Sequence, residues 1–281
     1  MSRYLFVPLV ALVVAVPAEA KRAPAPPPVS RALRADAVFV GKVTAVEKDT
    51  VDLAQHAGDP MKVAHKLAVL KVETPLAGVT GTTHVKVAFV PPPPPGSRPV
   101  RSGMPAAVPT EGQEALFFLT KHHTGDVYTI GWSFAPVDAK DAAFKAEVEN
   151  AKRALAVVAD PMKGLKVEKQ AERFFAATAL VTKYRSHPEG ADDVESVKIP
   201  AEESQLILKA LAEQKDWAAV GAVGSGTQVM HMLGLTEADG FRPILARQPG
   251  DINAQFRDFF VKWLDGAGKN YQLSRIVAKK K

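Results

Sequence analysis

The hydrophobic period of this chain changes once, near residue 136, and that single change limits what it can fold into. Upstream, short runs of Val, Phe, Leu and Ile alternate with polar residues and are cut by turn signals. Downstream, apolar residues recur every three or four positions. Such a pattern predicts an α+β protein, with an antiparallel β unit over residues 31–136 and an all-α helical unit over 137–281.

In the first unit, Val38 to Val46 reads as a strand with Gly41 inside it, where a bulge or sharp bend is expected. Further strands are predicted at Lys66 to Glu73, His84 to Val90, Glu114 to Thr120 and Val127 to Phe134, with a weaker one around Thr50–Leu53. Five or six strands in about 100 residues, with no helix between them, predict a small barrel or sandwich. Between the third and fourth strands lies Pro91 to Pro109, which holds eight of the 22 prolines, five of them consecutive. Proline cannot donate to a sheet ladder, so this segment is expected as a stiff loop thrown out from the rim.

In the second unit, Phe144, Val148, Ala151, Leu155 and Val158 mark a first helix. Val167 to Tyr184 marks a second, and Pro200 opens a third with Leu206, Ile207, Ala210 and Leu211 inward. Trp217 is expected to start or precede a fourth, short helix. The last runs from about Ile252 to Asp265, with Phe256, Phe259, Phe260 and Trp263 on one face and Gly266 as its cap.

The first 20 residues carry the three parts of a cleavable secretory signal peptide. Arg3 supplies the positive start, Tyr4 to Val16 an apolar stretch too short to span a membrane, and Ala18-Glu19-Ala20 the small-x-small cleavage pattern. Residues 21–30, rich in proline, read as an extended, disordered lead-in. The chain has no cysteine, so an exported product cannot lean on disulfides and must bury an adequate core. A bacterial periplasm or exterior fits these features, with no membrane span after cleavage. The formal charge is +6, but the halves are nearly balanced: 13 basic against 9 acidic residues in 21–135, and 22 against 20 in 136–281. Lys279, Lys280 and Lys281 form the one cationic cluster, a basic tail, so a phosphate-tracking surface and a nucleic-acid partner are not expected.

Three segments together resemble a known family. ADAVFVGKVTAVE (35–47), KLAVLKVETPLAGVTG (66–81) and GQEALFFLTK (112–121) resemble the netrin-like, or tissue-inhibitor-of-metalloproteinases-like, domain. The resemblance covers roughly residues 31–135 and implies an OB-like β-barrel with a binding role. The inhibitors of that family place an N-terminal cysteine on a protease zinc. This chain has none, so protease inhibition is not implied.

No catalytic constellation is legible, and neither a cofactor nor a metal is expected. His122-His123, in the predicted hairpin turn, is the most metal-like pair, but neighbours on an extended strand point to opposite faces, so only a turn conformation would let both bind one ion. Gly221 to Thr227 is glycine-rich like a phosphate loop, yet it lacks the Gly-Lys-Ser/Thr of a Walker motif and reads as a helix–helix connection. Arg173 and Arg185 are expected to pair on the surface, with Glu168 or Glu172 as partners. Arg98 and Arg101, on the stiff proline-rich loop, are the candidate binding residues, because a preordered segment loses little entropy on docking. The expectation is an exported, non-enzymatic binding protein of the cell envelope, with a protein or an anionic envelope component as partner. The alternative is an enzyme with its site between barrel and helices.

Overall fold

A computed structural model describes residues 26–54, 57–92, 107–188, 191, 193–218, 220–221, 223–242 and 251–279. The signal-peptide reading, residues 21–25, most of the proline-rich loop and Lys280–Lys281 therefore lie outside the described residues. The fold is mixed α+β.

Six strands build the first sheet: β1 (Ala37–Ala54), β2 (Lys62–Ala77), β3 (His84–Phe89), β4 (Glu114–Lys121), β5 (Tyr128–Thr129) and β6 (Val137–Asp138). Their order is β1-β2-β3-β5-β4-β6, and β1 also pairs β4, from Ala37 opposite Leu119 to Lys42 opposite Glu114. The first five strands thus form a closed ring of pairings in which only β3 and β5 run parallel. Closure puts alternate side chains inside. Phe39, Leu70, Val87, Phe89, Phe117 and Leu119 share one cluster, with the Phe39 and Phe117 rings stacked at 5.6 Å. The expected bend at Gly41 is present as a register shift between Val40 and Gly41. A Cβ there would lie 2.3 Å from the Lys71 carbonyl oxygen, so only glycine admits that strand approach.

Three sheet expectations need correction. The strand read at Val127 to Phe134 shrinks to β5, followed by a 3₁₀ turn at Trp132–Phe134. Val137, expected to open the helical unit, belongs to β6 on the edge of β4. The weak strand near Thr50 is no separate element but the far half of β1, paired with Lys62–Lys66 as a two-stranded ribbon. Its two-sided exposure hid it, because no alternation survives where neither face is buried.

The lead-in is not extended throughout. Pro28–Arg34 forms a helix, α1, and buries Val29 and Leu33. Proline at the first helical position loses no hydrogen bond, and the i, i+4 pair Val29/Leu33 supplies an apolar stripe. Four longer or adjoining helices follow: α2 (Phe144–Ala159), α3 (Pro161–Leu165), α4 (Gln170–Arg185) and α5 (Ala201–Glu213). After them come α6 (Gly226–Leu233) and α7 (Ile252–Asp265). The second predicted helix is α4, which starts at Gln170 rather than Val167, and the short α3 ahead of it was not expected. The unit is also not all-α. Strands β7 (Val194–Lys198) and β10 (Ser274–Ala278) pair antiparallel, and Val220–Gly221 (β8) forms a small hairpin with Gly224–Ser225 (β9) between Trp217 and α6, the fourth, short helix that Trp217 was expected to start or precede. β7 is exposed along nearly its whole length, so it carried no period to read.

The helical core gathers Leu180, Ile207, Leu208, Phe260 and Trp263. Between this core and the ring lie two further clusters. Val38, Leu116 and Phe118 on the outer face of the ring meet Ala32, Val148 and Ala151 of α1 and α2. Val29 and Leu33 meet Phe175 and Ala179 of α4. The two halves are therefore joined by continuous apolar packing through α1 and α2.

Candidate binding rim and the junction behind it

Three chain segments at the ends of the ring's strands are candidates for a binding role. The first is the base of the proline-rich loop. Phe89 is buried at the end of β3, and on the return side Gly112 N–H donates to the Val43 carbonyl while Val43 N–H donates to that of Gln113. Between these fixed ends, Val90 is 40% exposed and Val108 38% exposed. Arg98 and Arg101 lie outside the described residues.

The second and third segments are the β1–β2 ribbon and the β4–β5 turn, and a histidine ties them together. The Thr124 backbone N–H points at His122 Nδ1 (3.4 Å), which makes Nδ1 an acceptor and Nε2 a donor. His122 Nε2–H then donates to the Ala54 carbonyl at 2.9 Å, and the Thr124 hydroxyl donates to Nδ1 at 2.9 Å. His122 and His123 take the turn conformation, which brings their rings to 4.0 Å. Both nitrogens of His122 are nevertheless occupied, and among the described residues no three His, Asp or Glu side chains gather as a metal site. His65 stands opposite Val51 and His84 opposite Lys71, so register keeps those two apart.

Behind the rim, the junction with the helices is filled. Its polar groups are cations spent on carbonyl oxygens. Arg31, 8% exposed, donates to the Ala135 carbonyl and lies 4.9 Å over the Phe118 ring, while its Nε is buried without a partner. Burial lowers its pKa, only partly offset by Glu147. Lys183 donates to the Leu33 carbonyl at 2.8 Å, and burial lowers its pKa too, against the opposing pull of Asp36. The Asp36 carboxylate in turn accepts from Lys121 N–H at 2.7 Å. These are tethers between elements, with no nucleophile facing a base. Sequence reasoning missed them. The one visible signal was Arg31 inside the apolar run from Val29 to Leu33.

The remaining candidates also resolve into structural roles. Arg173 reaches Glu213 of α5 (2.6 Å) and the carbonyls of Val167 and Glu168, rather than the carboxylates of Glu168 or Glu172. Arg185 donates to the Met232 carbonyl. The glycine-rich segment is capped by itself: Ser225 Oγ accepts from Gln228 N–H, and Gln228 Oε1 accepts from Ser225 N–H. Those contacts use the amides a phosphate would need.

Two tyrosines make stability depend on alkaline pH. Burial raises the pKa of Tyr184, as does its 2.5 Å hydrogen bond to the largely buried Glu203. Burial likewise raises Tyr271, with Asp239 adding to it. Both stay protonated in the folded chain above pH 10.0, where the unfolded chain releases their protons, so stability falls as pH climbs past that value. Lys183, lowered instead, gives the opposite slope, but only below its ordinary 10.5. Urea midpoints measured from pH 9 to 11.5 should therefore decline above about 10.5. Tyr184→Phe should flatten that decline; an equally steep fall would show that other groups cause it.

Among the described residues no helix is long and apolar enough to cross a membrane. No family model matches this chain, and no curated protein does either.

Proposed function

We propose that the chain is an exported, non-enzymatic binding protein of the cell envelope. In this reading the ring is an OB-like barrel of the netrin-like kind, and the partner docks at its rim through the loop bearing Arg98 and Arg101. The order β1-β2-β3-β5-β4 with closure back to β1 supports the barrel reading, since such a five-stranded closed sheet is how an OB-type barrel is built. The observation that carries the binding reading is the base of the loop. The ring holds both ends firmly, yet leaves Val90 and Val108 exposed beside them. A platform that fixes both ends of a proline-rich, cationic segment suits recognition of a protein or an anionic envelope component. Among the described residues the apolar packing at the junction favours this reading over the alternative, an enzyme with its site between the halves.

The test is photo-crosslinking in the native envelope, with a crosslinker at position 90 or 108 and a control at the exposed Met61 on the ribbon side. A discrete adduct is expected at 90 and 108 and not at 61. It should weaken when Arg98 and Arg101 are both changed to Glu. Identical adducts in a chain whose residues 93–106 are replaced by a Gly-Ser linker would overturn the assignment to the loop.

A further inference from the structure

Helices α5 and α7 diverge to leave an open groove of about 540 Å³ on the helical half, remote in sequence from the rim. Its floor is the half-buried Leu206, Val261 and Leu264. Six charged residues of both signs stand around that floor, and three of them are paired within the chain. Glu202 pairs with Lys166 at 2.8 Å and Glu213 with Arg173 at 2.6 Å. Arg257 is held by Asp258 at 3.2 Å and by the Gln214 carbonyl at 2.8 Å. The charges left over are Lys209, Lys269 and Asp265, none of which makes an ion pair with a described residue. The groove therefore presents an apolar strip with an uncompensated excess of one positive charge.

Size and charge together select the occupant. A volume of this order lies in the range of small-molecule sites, about 300–1,000 Å³. A floor of three aliphatic side chains is far short of the roughly 800 Å² per partner that a stable protein interface covers. We propose that the α5–α7 groove binds a single-chain anionic amphiphile of the fatty-acid class. Its acyl chain lies along Leu206, Val261 and Leu264, and its carboxylate is taken by Lys209 and Lys269. The site is separate from the rim, and the inference stands whether or not the rim binds a partner.

The probe is dodecanoate below its micellar concentration, titrated into the full chain by calorimetry, with backbone amide shifts recorded in parallel. Saturable binding is expected, with shifts concentrated on α5, α7 and Lys269. Changing Lys209 and Lys269 together to Glu should weaken it by at least about fivefold at low salt, while Asp265→Asn should leave it unchanged or tighter. Unaltered circular dichroism separates this loss from misfolding. Equal binding of dodecyltrimethylammonium or of a neutral dodecyl glycoside would overturn the proposal. So would shifts that map elsewhere, or an acidic amphipathic peptide that occupies the groove where dodecanoate does not.

Discussion

Phe118→Ala should lower the stability of the whole chain by about 3–5 kcal/mol, the range for truncating a buried aromatic. Phe118 has no exposure and sits on the outer face of β4, not in the interior of the ring. Its neighbours Ala32, Val148 and Ala151 belong to α1 and α2, so the cavity opens between the halves. The ring also carries the Arg31 guanidinium over its face. Losing it strips a buried cation of a favourable contact worth about 0.5–2 kcal/mol. In a Trp132→Phe background, which removes the one tryptophan of the ring half, fluorescence follows the helical half through the buried Trp217 and Trp263, while circular dichroism follows both. In urea both transitions should move together to lower midpoint with little change in slope. A fluorescence transition that stays put while the sheet signal moves would mean that the junction is packed but not energetically shared.

Gly78→Val should be nearly as damaging, at about 2–6 kcal/mol when positive-φ strain and overpacking add. Gly78 has φ +72°, and a Cβ there would lie 1.8 Å from the Asp36 carbonyl oxygen. The obstacle is backbone, so no rotamer change relieves it. Asp36 must move, and Asp36 closes the ring: its N–H donates to the Leu119 carbonyl and its carboxylate accepts from Lys121 N–H. Hydrogen exchange should show the loss first in the β1–β4 pairing, at Ala37 to Lys42, before the helical core responds. Unchanged protection there would mean the turn relaxes without touching the seam.

What could be read from the residues depended on whether an element hides one face. The last helix was legible from its caps and period, because Asp251 caps its start and Phe256, Phe260 and Trp263 repeat inward until Gly266, although Phe259, expected on the same face, stays outside that core. The inner halves of β1 and β2, β3 and β4 were legible for the same reason. The ribbon beyond Thr50 was legible only as a weak strand of its own, and strands β7 and β10 were not legible, since exposed strands carry no burial pattern. The helix at Pro28–Arg34 was masked by prolines that read as extended chain, although proline is tolerated in a first turn. Of the candidate binding residues, Arg98 and Arg101 were chosen for loop chemistry and lie outside the described residues. Arg31 and the α5–α7 groove escaped notice for a different reason. Each depends on elements brought together across long stretches of chain, and local spacing contains no trace of that.

The short helix α1 has a consequence for the order in which the chain can fold. Its apolar stripe is covered by α2 and α4, and Lys183 reaches back 150 positions to hold the Leu33 carbonyl. Helix α1 can meet the ring and α2 through Ala32 early, but its Val29/Leu33 stripe is not fully covered until the chain through α4 exists. The ring closes earlier in sequence, once β5 is made, and its outer Phe118 face waits for α2 to be completed. Forming these contacts last makes assembly slow relative to a chain with local pairings. A ribosome-bound fragment ending before residue 170 should hold a compact sheet and a loose, protease-sensitive N-terminus. Locking that end becomes the step that finishes the molecule.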